Sequence, residues 1–303
     1  MEMMFVKKYL NIYYYINKMY ITKIHKNEIV TNEKNYIDNR QYKFVTSINE
    51  SNLIEYELNE DTYIFVVQYD NIGHFFHDHF FLFYSFWREK KRKVLVYLNN
   101  NFYLDFVIST LGSEYVEKMD DKYLYIGKNI ILTPEHRKRD LKLINNYKIL
   151  LNEIKENCFS NNNIIEDRHL NVLYGRQDLH RKKLLNIDIE NLEKNNIKVI
   201  DNLSKYTFKE TIDLLSKCKN FIYVFGAGVT YQLFLSNVFE IHANINDSWS
   251  AMFGLCNICN LKIYVSTNTI SSNFKNGQNN KNLDDNIFYD NHLHEGILRY
   301  IIR

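Results

Sequence analysis

Apolar runs separated by short polar gaps divide the chain into alternating strand and helix signals. Thr62–Gln68 (TYIFVVQ) is a continuous β-branched and aromatic run, which predicts a strand buried on both faces. A turn composition follows at Tyr69–Gly73, then a helical pattern from about His74 to Lys90. Lys93–Leu98 predicts the next strand and Phe102–Leu111 a helix. Lys122–Thr133 predicts a hairpin around Gly127, and Arg139–Asn157 carries the 3.6-residue period of a long helix.

The polar gap Ser160–Asn163 predicts a domain boundary, giving an N-terminal domain over 1–160 and a C-terminal domain over 161–303. Beyond it the alternation is regular. Strands are predicted at Leu170–Tyr174, Ile197–Ile200, Phe221–Phe225, Val238–His242 and Lys262–Ser266. Helices are predicted at Asp188–Asn195, Thr207–Lys217, Gly228–Leu235 and Asp247–Cys259. Such alternation with short loops predicts an α/β fold, with a parallel sheet covered by helices on both faces. Residues 271–286 are polar and of low complexity, and Ile287–Arg303 ends in an amphipathic helical pattern.

Composition narrows the function class. Hydrophobic residues make up 46% of 303 and charged residues 24%, which is globular rather than disordered. The net charge of +2 supports no general nucleic-acid affinity, and the basic runs near Arg88–Lys93 and His136–Arg139 read as solvated helix ends. Four cysteines are too few for a disulfide framework, and Cys256–Cys259 is a lone CxxC in an apolar run. The first twenty residues have neither a cleavage site nor an apolar stretch of spanning length. A soluble cytoplasmic protein without a transmembrane segment is therefore expected, or one held at a membrane only by its surface or a partner.

Four constellations carry candidate chemistry. NIGHFFHDHFF (71–81) sets three histidines and an aspartate within an aromatic segment. On a helix His74, His77 and Asp78 share a face, with Phe76, Phe80 and Phe83 on another. A histidine oriented by a carboxylate is a candidate general base, and a core-bonded or capping cluster is the structural alternative. The spacing is not that of a zinc protease, so no metal is expected.

FGAGVT (225–230) puts Gly226 and Gly228 directly after a buried strand and before a helix. That suits either a diphosphate cradle, with Thr230 adding a hydroxyl, or a tightly packed turn. Arg176 follows a strand and Arg181 comes five residues later, which suits an anion at the carboxyl edge of a sheet. Glu240 near a strand end could accept from ribose hydroxyls or form an ion pair.

Read in order, these segments resemble glycosyltransferase family 61. Asn71, His74 and Asp78 opening a helix match its N-terminal motif. The family includes the EGF-domain O-GlcNAc transferase and the O-mannose β-1,4-N-acetylglucosaminyltransferase, and NIGHFFHDHFFLFY is especially similar to the O-mannose branch, where His77 also has a counterpart. Residues 173–186 with Arg176 and Arg181, and FGAGVT…LFL followed by Glu240, resemble the motifs of the family's second domain. Residues 62–100 and 168–270 are covered. The chain departs from the pattern at Phe225, where the family has a histidine, and in a shorter segment between Leu235 and Glu240.

The resemblance implies a GT-B-like architecture, two Rossmann-like domains with parallel sheets facing across a cleft. It implies an inverting, metal-independent transfer from a nucleotide-sugar, UDP-linked, to a hydroxyl of a glycan or glycoprotein. Asp78 with His74 would be the catalytic pair and His77 the reserve base. Asn71, Arg176, Arg181, Gly226, Ala227, Gly228, Thr230 and Glu240 would serve the donor, with no further cofactor. The alternative is a catalytically inactive relative that binds sugar or nucleotide and acts through a partner.

Overall fold

Six residues of strand β5, Thr62–Val67, are buried along their whole length, as a continuous β-branched and aromatic run requires. They lie inside the first of two units, Met1–Arg139 and Asp140–Arg303, into which the chain divides. The computed structural model describes residues 22–26, 28–30, 43–58, 62–67, 71–98, 100–127, 130–132, 146–176, 183–243, 258–270 and 286–302.

In the first unit, β5 pairs in parallel with β6 (Val94–Leu98) and with β9 (Ile130–Leu132), and β6 pairs in parallel with β7 (Val116–Lys118). The order is β7-β6-β5-β9. The helical segment 72–90 joins β5 to β6, and the helix Asn101–Leu111 follows β6. Right-handed crossovers running in one direction put both on the same face, and their side chains meet there. Phe80 lies edge-on to Phe106 at 4.9 Å, and Phe75 stacks on Tyr103 at 4.5 Å. Phe65 of β5 reaches into the same cluster, stacked on Phe83 at 4.7 Å.

A second sheet covers the other face. Its order is β3-β2-β1-β8-β4, with β1 Thr22–His25, β2 Glu28–Val30, β3 Lys43–Phe44, β4 Ile54–Glu57 and β8 Tyr123–Gly127. Ile24, Ile29 and Tyr125 from this sheet close on Ile64, Val66 and Leu95. The hairpin expected over 122–133 does not form. Tyr123–Gly127 pairs with β1 and β4, whereas Ile130–Leu132 pairs in parallel with β5 in the other sheet. A turn composition around Gly127 ends one strand equally well when the next strand joins a different sheet.

The second unit is built on a parallel sheet of order β12-β10-β13-β14-β15. The strands are β10 Leu170–Tyr174, β12 Ile197–Ile200, β13 Cys218–Val224, β14 Asn237–His242 and β15 Asn260–Val265, and every pairing is parallel. On one face Leu192 from the helix Ile189–Lys194, with Leu293 and Ile297 from the helix Asn291–Ile301, packs on Leu173, Ile222 and Phe239. On the other, Phe234 meets Phe208 of the helix Phe208–Ser216 and Phe159 of the helix Tyr147–Asn161. A reciprocal capping box, Thr207 with Glu210, starts the helix Phe208–Ser216.

That aromatic packing explains why the division falls before 140 rather than at 160. The helix Tyr147–Asn161 belongs to the second unit's core. Three further short strands, β11 Leu184–Leu185, β16 Thr269–Ile270 and β17 Asn286–Phe288, form a separate sheet. Asn286–Phe288 is thus extended, and the final helix starts only at Asn291, capped by Asp290. The expected helix Asp247–Cys259 lies outside the described residues except for 258 and 259, which form a turn and not a helix end, and residues 271–285 of the polar stretch also lie outside them. Among the described residues no helix is long and apolar enough to cross a membrane.

Candidate functional site

Open parallel sheets bind ligands outside the carboxyl ends of their strands, where the strand order reverses direction. In the second unit the chain steps from β10 outward to β12 and then returns past β10 to β13. The reversal therefore lies between β10 and β13. Arg176 follows β10 and Phe225-Gly226 follows β13, so both fall on this edge. In the first unit β5, β6 and β7 step one way and β9 lies on the far side of β5. The histidine-rich helical segment begins at the carboxyl end of β5, beside that second reversal.

This segment is not a uniform α-helix. A turn at Ile72–His74 runs into a π-helical turn at Phe75–Phe80 and then into an α-helix at Phe81–Lys90. Asn71 starts it: its Oδ1 accepts from the backbone N–H of Gly73 at 2.8 Å and of His74 at 3.3 Å. All six residues of the π-turn are buried. Wide turns of this kind recur at functional sites. Here the turn carries His77, Asp78 and His79 into the aromatic layer.

His74 Nδ1 lies 2.6 Å from Asp78 Oδ2, a short, charge-assisted contact. The His74 side chain is 35% exposed and that of Asp78 9%, so the imidazole faces outward and the carboxylate lies behind it. With the proton on Nδ1 donated to Asp78, Nε2 is left as a base. His77 is fully enclosed, with its ring edge-on to Phe76 at 5.0 Å. His79 is buried as well. Burial pushes its pKa down to about 4, while Asp78 pulls it up and His74 pushes it further down.

A base with a lowered folded-state pKa takes its proton more readily when unfolded, so acid favours unfolding. The stability that neutral His79 contributes is complete above about pH 6.5 and is lost as the pH falls towards 4. Urea unfolding at pH 7 and pH 5 is expected to show a midpoint that drops on acidification, with a smaller drop for His79→Phe. Equal drops in both proteins would remove His79 as the cause.

In the second unit Arg176 adopts a left-handed backbone (φ 58°) and is 8% exposed. Its Nη1 donates to Phe225 O at 2.8 Å and lies 3.4 Å from Val224 O. The guanidinium lies directly against Gly226, where an added Cβ would come 1.7 Å from Nη1. At Gly228 an added Cβ would meet Tyr223 at an ordinary 3.5 Å. Of the two glycines, Gly226 is the one this packing requires. The helix expected over 228–235 is a 3₁₀-helix, Ala227–Phe234.

Thr230 and Glu240 are fully buried. Glu240 Oε1 accepts from Tyr223 OH at 2.6 Å, and its Oε2 lies 3.2 Å from His242 Nε2. Burial, and then Glu240, keep the Tyr223 phenol protonated well above its ordinary range. His242 stacks flat on Phe225 at 4.6 Å. Arg181 and Cys256 lie outside the described residues. Burial pushes the Cys218 thiol up to about 12, which suppresses nucleophilic thiolate there.

His242 and Tyr223 did not stand out in the sequence, although strand parity couples them to Glu240. His242 lies two residues beyond Glu240 on β14, and Tyr223 is its partner on β13. Among the described residues no group of three or more His, Cys, Asp and Glu side chains could hold a metal ion. No protein-family model matches the chain, and no curated protein matches it.

Proposed function

We propose that the chain is an inverting glycosyltransferase of GT-B type, using a nucleoside-diphosphate sugar and a hydroxyl acceptor. One observation carries this reading. In each unit some candidate residues, His74 and Asp78 in the first and Arg176 and Gly226 in the second, lie at the carboxyl edge of a parallel sheet, beside the reversal in strand order. The first edge carries a base and its orienting carboxylate, and the second a guanidinium packed on a glycine turn. Those are the two requirements of direct displacement at a sugar carbon.

His74, oriented by Asp78, takes the proton of the acceptor hydroxyl as its oxygen attacks. The leaving diphosphate is stabilised by the positive edge of the second unit, where Arg176 lies. His77 is enclosed and supports the turn from within. Donor recognition is assigned to Arg176 and Gly226, with Arg181 retained from the resemblance. Thr230 and Glu240 act from the interior, not by touching the donor.

Thermal unfolding with added nucleotides tests this, because a ligand that binds only the folded state raises the melting temperature. UDP is expected to raise it, and a UDP-sugar to release UDP when an acceptor is present. No shift with any nucleoside diphosphate would refute the reading. A second reading, an inactive nucleotide-binding relative, is favoured by Phe225, whose ring is spent on stacking against His242 and brings no polar group to the turn. A shift without sugar release or transfer would select it.

A further inference from the structure

Glu240 is a fully buried carboxylate two residues from the end of a strand, and a polar group there is costly unless it is held on all sides. Tyr223 and Phe225 on one strand path, and Glu240 and His242 on the next, share one side of the sheet, as alternate residues do. Gln232 of the 3₁₀-helix closes over them, its Nε2 donating to Tyr223 OH at 3.0 Å. The contacts then run without a gap. Tyr223 donates to Glu240, Glu240 lies against His242 Nε2, His242 stacks on Phe225, and the Phe225 carbonyl accepts from Arg176. An interior made only to be stable would fill these positions with apolar groups at no loss.

We propose that Glu240 and His242 are positioning residues for the anion site at Arg176 and Gly226. Glu240 fixes the imidazole, the imidazole fixes the Phe225 ring, and Phe225 presents the carbonyl on which the guanidinium closes. Neither residue touches the ligand. The inference rests on the reading that this edge binds a nucleoside diphosphate.

The sign of one substitution distinguishes this role from simple proximity. By Coulomb's law, neutralising a carboxylate near an anion site tightens anion binding. If Glu240 instead positions the turn, Glu240→Gln loosens it. Calorimetric titration with UDP and with inorganic pyrophosphate is expected to show both binding about tenfold or more weakly to E240Q than to wild type, the order of one supporting hydrogen bond. Unchanged or tighter binding overturns the inference. So does a lower melting temperature with unchanged affinity, which would mark the pair as merely structural.

If E240Q does not fold, His242→Gln reads the same quantity, since it keeps a polar side chain beside Glu240 but removes the ring that stacks on Phe225. Weaker binding of both probes supports the proposal and unchanged binding overturns it. A wild-type chain that binds neither UDP nor pyrophosphate refutes this inference together with the reading beneath it. A wild type that binds both, with variants that bind as well, refutes the inference alone.

Discussion

Asp78→Asn is expected to lower sugar transfer by roughly 10²–10⁴-fold, the usual contribution of a positioned general base, while leaving UDP affinity unchanged. The carboxylate does two things for His74. It accepts the Nδ1 proton at 2.6 Å, which selects the tautomer with Nε2 as a base, and its charge stabilises the imidazolium formed after proton abstraction. Asparagine preserves shape and volume but can donate to Nδ1, which reverses the tautomer and leaves the imidazolium unbalanced. Asp78 lies in the first unit and the proposed donor residues Arg176 and Gly226 in the second, so donor binding is expected to be spared. Release of UDP from whichever UDP-sugar raises the melting temperature, followed with acceptor present, measures the effect. Turnover equal to that of the wild type would remove the dyad from the chemistry.

Gly226→Ala is expected to weaken UDP binding more than tenfold at only a small cost in stability, because the clash falls on the far end of a flexible arginine that can swing away. The added carbon would come 1.7 Å from Arg176 Nη1 and 2.7 Å from its Cζ, so the guanidinium must abandon the Phe225 carbonyl or the turn must move. Gly228→Ala is the control, since its nearest neighbour would be the Tyr223 ring at 3.5 Å. Melting temperature and calorimetric titration of both variants test the pair. Two variants that bind UDP alike would show that the guanidinium does not depend on this packing.

The parallel strands of the second unit were legible because each is a short apolar run between polar turns, and the helices Ile189–Lys194 and Phe208–Ser216 between them keep their period. The placement of Arg176 and Gly226 at one sheet edge was legible for the same reason, because both follow strands. Partner choice was not. The pattern of residues 122–133 is the same whether two strands pair with each other or join different sheets, and long-range contacts alone decide between these. Helix type was hidden as well. The π-turn at Phe75–Phe80 and the 3₁₀-helix at Ala227–Phe234 depend on how the backbone packs, while their residues match an ordinary helix.

The inward role of Glu240 shows a different limit. A carboxylate at a strand end reads as a ligand contact until its partners are known, and those partners, Tyr223 and His242, look in sequence like core aromatic residues. In the first unit the spacing of His74 and Asp78 carried their geometry directly, because four residues bring the two side chains together at the start of that helix.

The sheets also set an order of events during synthesis. Every strand of the first unit's parallel sheet has been made by Leu132, so that unit can close while the rest of the chain is still on the ribosome. The second unit cannot. Leu293 and Ile297 complete the same apolar cluster as Leu173 and Ile222, and β11 has no parallel partner until Asn286–Phe288 emerges. A nascent chain paused before those residues would hold a finished first unit and a second sheet with one face only partly covered, and that exposed surface is where a chaperone would be needed.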